Sequence, residues 1–221
     1  MPLAGHALID IVIDRARCVS ADGCALLTSA RPVDDELAAH AQKADVQVIR
    51  GHATDLVARS LQAIRETNAT HFLRVNGDSP FFAPELARHA MGYLSSADLI
   101  SNVLRRRFPY GVAVEWVASA PYVALAESAR PDELEHVTLH LYRQIGNLVA
   151  LSLEQERDDS PLHLALDTAE DHARLCALFG ASDPVTTPYW QLCGLGSPEL
   201  CMRNWGPESV LLPCPGENRP Q

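Results

Sequence analysis

Basic residues are in short supply: 18 Lys and Arg stand against 28 Asp and Glu, a formal charge of −10. So few cations disfavour nonspecific binding to a phosphate backbone or an anionic membrane, and no nucleic-acid or membrane partner is expected. The six cysteines (Cys18, Cys24, Cys176, Cys193, Cys201 and Cys214) form no CxxC pair and are irregularly spaced. That excludes a zinc ribbon and favours reduced thiols in a cytoplasm over a disulfide framework. No basic segment precedes the first apolar stretch, MPLAGHALIDIVIDR, which carries Asp10 and Asp14 within it, so it fails as a secretory signal. Nothing approaches the run of about 18 apolar residues that a membrane helix needs. There is no internal repeat.

What is present is an ordinary globular composition, 47% hydrophobic and 21% charged over 221 residues, enough for one large α/β domain or one domain with an appendage. Leu8, Ile9, Val12, Ile13 and Ala16 recur at helical spacing, and Cys24–Thr28 reads as a strand. Helix and strand then alternate: Asp34–Ala44, Val46–Arg50, Thr54–Thr67, His71–Val75, Pro84–Leu94 and Leu99–Val103. Such alternation predicts right-handed crossovers and a mostly parallel sheet. Val112–Val117 reads as a strand leaving that sheet in a protruding arm. Helices are expected at Pro121–Ser128, Glu133–Arg143 and Ala169–Phe179, with a strand at Leu162–Leu166. Past Gly180 come seven of the fifteen prolines with no clear period, so 1–180 reads as the domain and 181–221 as an irregular tail.

The sharpest local feature is RVNGDSP, Arg74 to Pro80, directly after a predicted strand. Ligands of open α/β sheets gather beyond the carboxyl ends of strands, where Asp78 could face a phosphate or metal; the bland alternative is a polar turn. Asp167 has an equivalent place after LHLAL, with Thr168 as a candidate helix cap, and two such carboxylates could share one Mg²⁺. Alternatively, Asp167 and Asp171 only complement a helix dipole. His136 and His140 stand four apart, a weak metal pair, since the nearby Glu135 precedes both; a metal-dependent hydrolase is the distant reading. Asp55 and Arg59 form either a helical ion pair or an arginine aimed at substrate. Arg105, Arg106 and Arg107 are either a solvated run or an anion contact.

Five stretches in order resemble the cytidylyltransferases that activate acidic sugars, above all the spore-coat polysaccharide type, with the acylneuraminate and 3-deoxy-manno-octulosonate enzymes as relatives. They are Gly51…Asp55-Leu56-Val57-Ala58-Arg59, Arg74-Val75-Asn76-Gly77-Asp78-Ser79-Pro80, Ser101-Asn102…Arg106…Pro109-Tyr110-Gly111…Val114-Glu115, Glu135-His136-Val137-Thr138 and Leu166-Asp167-Thr168-Ala169-Glu170-Asp171. The resemblance implies a doubly wound sheet of the nucleotide-diphospho-sugar transferase type. It implies transfer of CMP from CTP to a sugar acid, with Mg²⁺ held by Asp78 and Asp167 and with Arg74 at the reaction centre. Substrate contacts are implied for Arg59, Asn76, Gly77, Ser101, Asn102, Arg106, Glu115 and His136. The Arg105–Glu115 arm implies a homodimer, its Phe108, Tyr110, Val112, Val114 and Trp116 suiting an apolar interface centre.

The family usually opens with a strand and a Gly-rich basic turn around the triphosphate, and Pro2-Leu3-Ala4-Gly5 resembles the stretch just after that turn. Ala113 stands where the spore-coat type has Asp, and Leu134 where it has Arg. Weak or absent turnover is therefore the expectation for the chain as written, and the alternative function is that of an inactive binding or scaffold protein on the same fold.

Overall fold

A computed structural model of the chain describes residues 2–206 and 209–213. The chain divides into two compact units. Unit 1 gathers residues 1–20, 73–116 and 149–221, and unit 2 gathers 21–72 and 117–148. In chain order the elements are β1 (Pro2–Leu3), β2 (His6–Ala7), α1 (Leu8–Arg17), β3 (Ala25–Ser29), α2 (Asp35–Lys43), β4 (Gln47–Gly51), α3 (Leu56–Thr67), β5 (His71–Arg74), α4 (Pro84–Met91) and β6 (Leu99–Ser101). They continue with β7 (Glu115–Ala118), α5 (Ser119–Ala126), α6 (Leu139–Arg143), β8 (Ala150–Gln155), α7 (Ala169–Phe179), α8 (Tyr189–Leu192), β9 (Leu200–Asn204) and β10 (Leu211–Leu212).

The helices start and stop for local reasons. Asp55 caps α3 by accepting the Ala58 N–H at 2.7 Å, and Asn68 ends it in the left-handed region at φ 53°. Pro84 opens α4, where its missing N–H costs nothing. Thr168 and Asp171 form a reciprocal capping box at the start of α7. Apolar stripes on α1, α4 and α7 contribute Ile11, Leu86, Ala87, Leu175 and Phe179 to the buried core of unit 1, together with Phe81, Ile100, Leu153 and Met202. In unit 2, β3 and β4 pair in parallel, Ala25 opposite Gln47 through Ser29 opposite Gly51.

The main sheet has six strands in the order β10-β9-β8-β6-β7-β5. It is mixed rather than mostly parallel: β6 and β8 run parallel, but β9 is antiparallel to β8 and β10 to β9. Both antiparallel strands come from the segment read as an irregular tail. Tyr189 and Met202 of that segment are buried in the core of unit 1. Residues 207–208 and 214–221 of it, Cys214 included, lie outside the described residues, and the other five cysteines are free thiols.

Three further expectations are corrected. Residues 112–114 are not strand, because the Asn102 side chain occupies their backbone: its amide donates to the Val112 carbonyl at 2.7 Å and its oxygen accepts the Val114 N–H at 2.9 Å. The strand begins at Glu115 and lies inside the main sheet between β6 and β5, so no arm protrudes, and Phe108, Val112, Val114 and Trp116 are buried in the chain's own core. Glu133–Arg143 is not one helix. A short turn at Pro131–Glu133 closes with Glu133 accepting the Arg130 N–H at 2.7 Å, the Leu134 carbonyl is taken by Leu56 N–H at 2.7 Å, and helix resumes only at Leu139. Leu162–Leu166 makes one isolated bridge to Tyr110 instead of a strand, and the strand of this region is β8, buried along its whole length.

Candidate functional site

In unit 1 two of the stretches singled out by sequence, those carrying Tyr110 and Asp78, meet the segment 162–167. Its backbone is stitched on two sides. Tyr110 N–H donates to the Leu162 carbonyl at 2.9 Å and the Tyr110 carbonyl accepts Leu164 N–H at 2.7 Å, while Leu166 N–H donates to the carbonyl of Asp78 at 2.9 Å. The turn carrying Asp78 and the stretch ending in Asp167 are thereby neighbours. Asn76 and Asp78 are half-buried and Gly77 exposed; Asp78 Oδ1 accepts a hydrogen bond from Ser79 Oγ at 3.0 Å. The Asn76 carbonyl accepts Ser79 N–H at 3.2 Å, closing the turn.

Asp167 is exposed and meets His163 Nε2 at 3.2 Å; His163, Asp167 and Asp171 offer ligand atoms within 4.8 Å of one another. Asp171 is committed elsewhere. Its carboxylate takes Arg174 at 2.6 Å and the Thr168 hydroxyl at 2.9 Å, and these donors pull its pKa down to about 2. Asp171 thus serves the helix cap together with Thr168. Asp78 and Asp167 are oxygen donors of the hard kind that suit a small divalent cation.

Other residues named from sequence have structural duties. Ser101 and Asn102 are buried, Ser101 Oγ accepting Val103 N–H at 3.1 Å and Asn102 bridging Val112 and Val114. Glu115, expected at the substrate, is 1% exposed and ion-paired with Arg74, expected at the reaction centre. Arg105 reaches Glu154 at 3.5 Å and lies over Trp205, Arg107 donates to the Glu156 carbonyl, and Arg106 is the exposed member of the run.

In unit 2, Arg59 does not pair with Asp55. Its guanidinium donates to the carbonyls of His52 (3.0 and 2.5 Å) and Ala53 (3.0 Å), which arrests it beside Gly51, and burial lowers its pKa. A β-carbon at Gly51 would stand 2.6 Å from Gln62 Oε1 and 3.1 Å from Arg59 Cγ, so the Gln62 side chain would have to move. His136 is exposed while His140 is fully buried against Tyr122, ring centroids 4.8 Å apart, so the pair is no metal seat. What the sequence missed is an aromatic contact: Tyr110 stacks on His163 at 4.7 Å with the rings 23° apart. Fifty-odd residues between the partners hid it.

Among the described residues no helix is long and apolar enough to cross a membrane. Residues 1–158 match the sequence model of the family described as Cytidylyltransferase. The chain is 26% identical over 199 residues to the spore coat polysaccharide biosynthesis protein SpsF of Bacillus subtilis (strain 168), covering 80% of this chain and 78% of that protein. Its fold is similar to that of a cytidylyltransferase from Leptospira borgpetersenii serovar Hardjo-bovis (strain JB197), with a TM-score of 0.81, 24% identity, and coverage of 88% of this chain and 84% of the other. A manganese complex of Rv0371C from Mycobacterium tuberculosis H37Rv is similar at a TM-score of 0.53 and 19% identity, over 80% of this chain and 89% of that one.

Proposed function

Because this chain belongs to the cytidylyltransferase family, we propose that it transfers CMP from CTP to a sugar, a sugar acid in the first instance, for the synthesis of a surface polysaccharide. The similarity to SpsF supports the polysaccharide context. The observation that carries the reaction centre is the Leu166 N–H to Asp78 carbonyl bond, which brings two aspartate-bearing segments side by side. In the transfer, a sugar hydroxyl oxygen bonds to the α-phosphorus, the bond from that phosphorus to the bridging oxygen breaks, and pyrophosphate leaves. Catalysis of this kind is mainly positioning and neutralisation of charge.

Asp78 and Asp167 would hold a divalent cation, Mg²⁺ by preference; the manganese complex of a similar fold supports a metal of this class. Such an ion neutralises phosphate oxygens when bound. The chain's own groups do the rest. Gly77 lets backbone approach a phosphate closely at the exposed turn, and Asn76 offers an amide there. Exposed Arg106 supplies a cation for a phosphate or sugar carboxylate, and Arg59 and His136 line a second binding segment in unit 2. Arg74 is held by Glu115 and acts by keeping the strand before the Asp78 turn in place. We also read the protein as cytoplasmic and homodimeric, the dimer no longer resting on Phe108, Val112, Val114 and Trp116, which are buried.

Pyrophosphate release from CTP with a panel of sugar acids and neutral sugars tests this. Whatever turnover is seen, weak as the sequence leads one to expect, should need a divalent metal and fall at least about a hundredfold in Asp78→Asn. Absence of turnover with every sugar, together with no calorimetric binding of CTP, overturns it.

A further inference from the structure

Tyr110 is 50% exposed, an unusual position for a ring held so firmly. Its backbone bonds on both sides to the 162–164 segment, and its ring stacks on the His163 imidazole, which is itself fixed to Asp167 at 3.2 Å. The His163 carbonyl accepts a hydrogen bond from Arg174, so the platform under the tyrosine is braced from behind. Gly111, next in the chain, has φ +93° and no space for a β-carbon, which locks the backbone that presents the ring. The result is an immobilised aromatic face at the surface, bordered by the exposed carboxylate of Asp167.

We propose that Tyr110 is the stacking surface for the ring of the acceptor sugar, and so a specificity-determining residue; the assignment rests on the sugar nucleotidyltransferase function proposed above. An aromatic face takes the C–H side of a pyranose, and a carboxylate at its edge accepts hydrogen bonds from hydroxyls. A sugar carries hydroxyls around its whole rim, whereas a pyrimidine has one amino donor. Rigidity matters because a ring already ordered in the free protein loses little entropy when the sugar binds.

Saturation-transfer NMR with irradiation of the protein's aromatic protons, on free hexoses, N-acetylhexosamines and hexuronic acids with and without CMP, reads the contact directly. Wild-type protein and Tyr110→Phe should pass saturation to at least one sugar. Tyr110→Ala should weaken that sugar's binding about threefold to tenfold, the size of a lost stacking contact, and raise its KM while leaving the KM for CTP unchanged. Failure of every sugar to receive saturation from wild-type protein, or equal sugar binding by Tyr110→Ala, overturns the proposal. So does a selective loss of CTP affinity, which would make Tyr110 a base contact. If no sugar supports pyrophosphate release, the transferase function falls, but sugar binding that depends on Tyr110 still upholds the stacking surface.

Discussion

Gly111 shows how a single α-hydrogen holds part of the site together. A methyl group there would lie 2.5 Å from Ala165 N and from Leu164 C, both backbone atoms that cannot swing aside, and φ +93° is unfavourable for any L side chain. Gly111→Ala should therefore lose at least about 1–3 kcal/mol, read as a lower urea midpoint with an unchanged slope; an unaltered midpoint would contradict it. At this scale the sequence was informative where a residue's neighbours in the chain decide its role. Thr168 as a cap and the Asp78 turn were both legible because three to five residues define them. What the sequence did not show is that Glu115 pairs with Arg74, 41 residues away, or that the Asn102 amide donates to the Val112 carbonyl and its oxygen accepts the Val114 N–H, 10 and 12 positions on.

Among the elements, those with one wet face and one dry face were legible. The helices α1, α3, α4 and α7 all carry a periodic stripe that needs no tertiary information. Strand β8, ALSLEQ, has every residue buried, polar ones included, so no alternation betrays it. Glu154 is tolerated there between Arg105 and Arg203, and Gln155 because it bonds Asp159 and Tyr189. The LHLAL stretch alternates as a strand should, yet its backbone partners are a loop and a turn. Strands β9 and β10 were hidden by surrounding prolines and glycines. Helix α7 offers an element-scale test: Thr168→Ala removes the hydroxyl that accepts Asp171 N–H at 3.1 Å. The helix should lose about 1 kcal/mol, and the Asp171 pKa, now about 2, should rise in a carboxyl-detected NMR titration. No upward movement would assign it to Arg174 and the backbone N–H groups of Asp167 and Thr168.

For the molecule as a whole, two units mean two separate accounts of stability. Each contains an imidazole that burial pushes to a lower pKa: His89 in unit 1 and His140 in unit 2, the latter fully inaccessible and opposed only partly by Glu133 and the Tyr122 backbone. An unfolded histidine takes up its proton near pH 6.5, whereas these do so lower, so the unfolded state binds more protons in that interval and stability falls as pH drops. The contribution is intact above the ordinary value and is lost as pH passes down through the native one. Hydrogen exchange at pH 7 and pH 5 should therefore show protection falling in peptides from 117–148. His140→Leu should flatten that fall while leaving the response of the His89 helix as it was. An unchanged pH response in 117–148 would assign the effect to other groups.

Arg15 is buried in α1 and donates to the carbonyls of Phe82 (2.9 Å), Pro184 (2.7 Å) and Thr187 (2.7 Å). Burial brings its pKa down to about 10, still charged at neutrality. Two of its three acceptors are made more than 160 residues later than the arginine itself. On the ribosome, then, a guanidinium destined for a dry interior must wait in solvent until Pro184 and Thr187 have emerged, several seconds at ordinary rates of synthesis. Every segment of unit 2 is already available once Leu148 is out. Vectorial synthesis thus gives the inner portion of the chain a head start over the portion that encloses it in sequence, and keeps the first helix waiting for two of its buried acceptors.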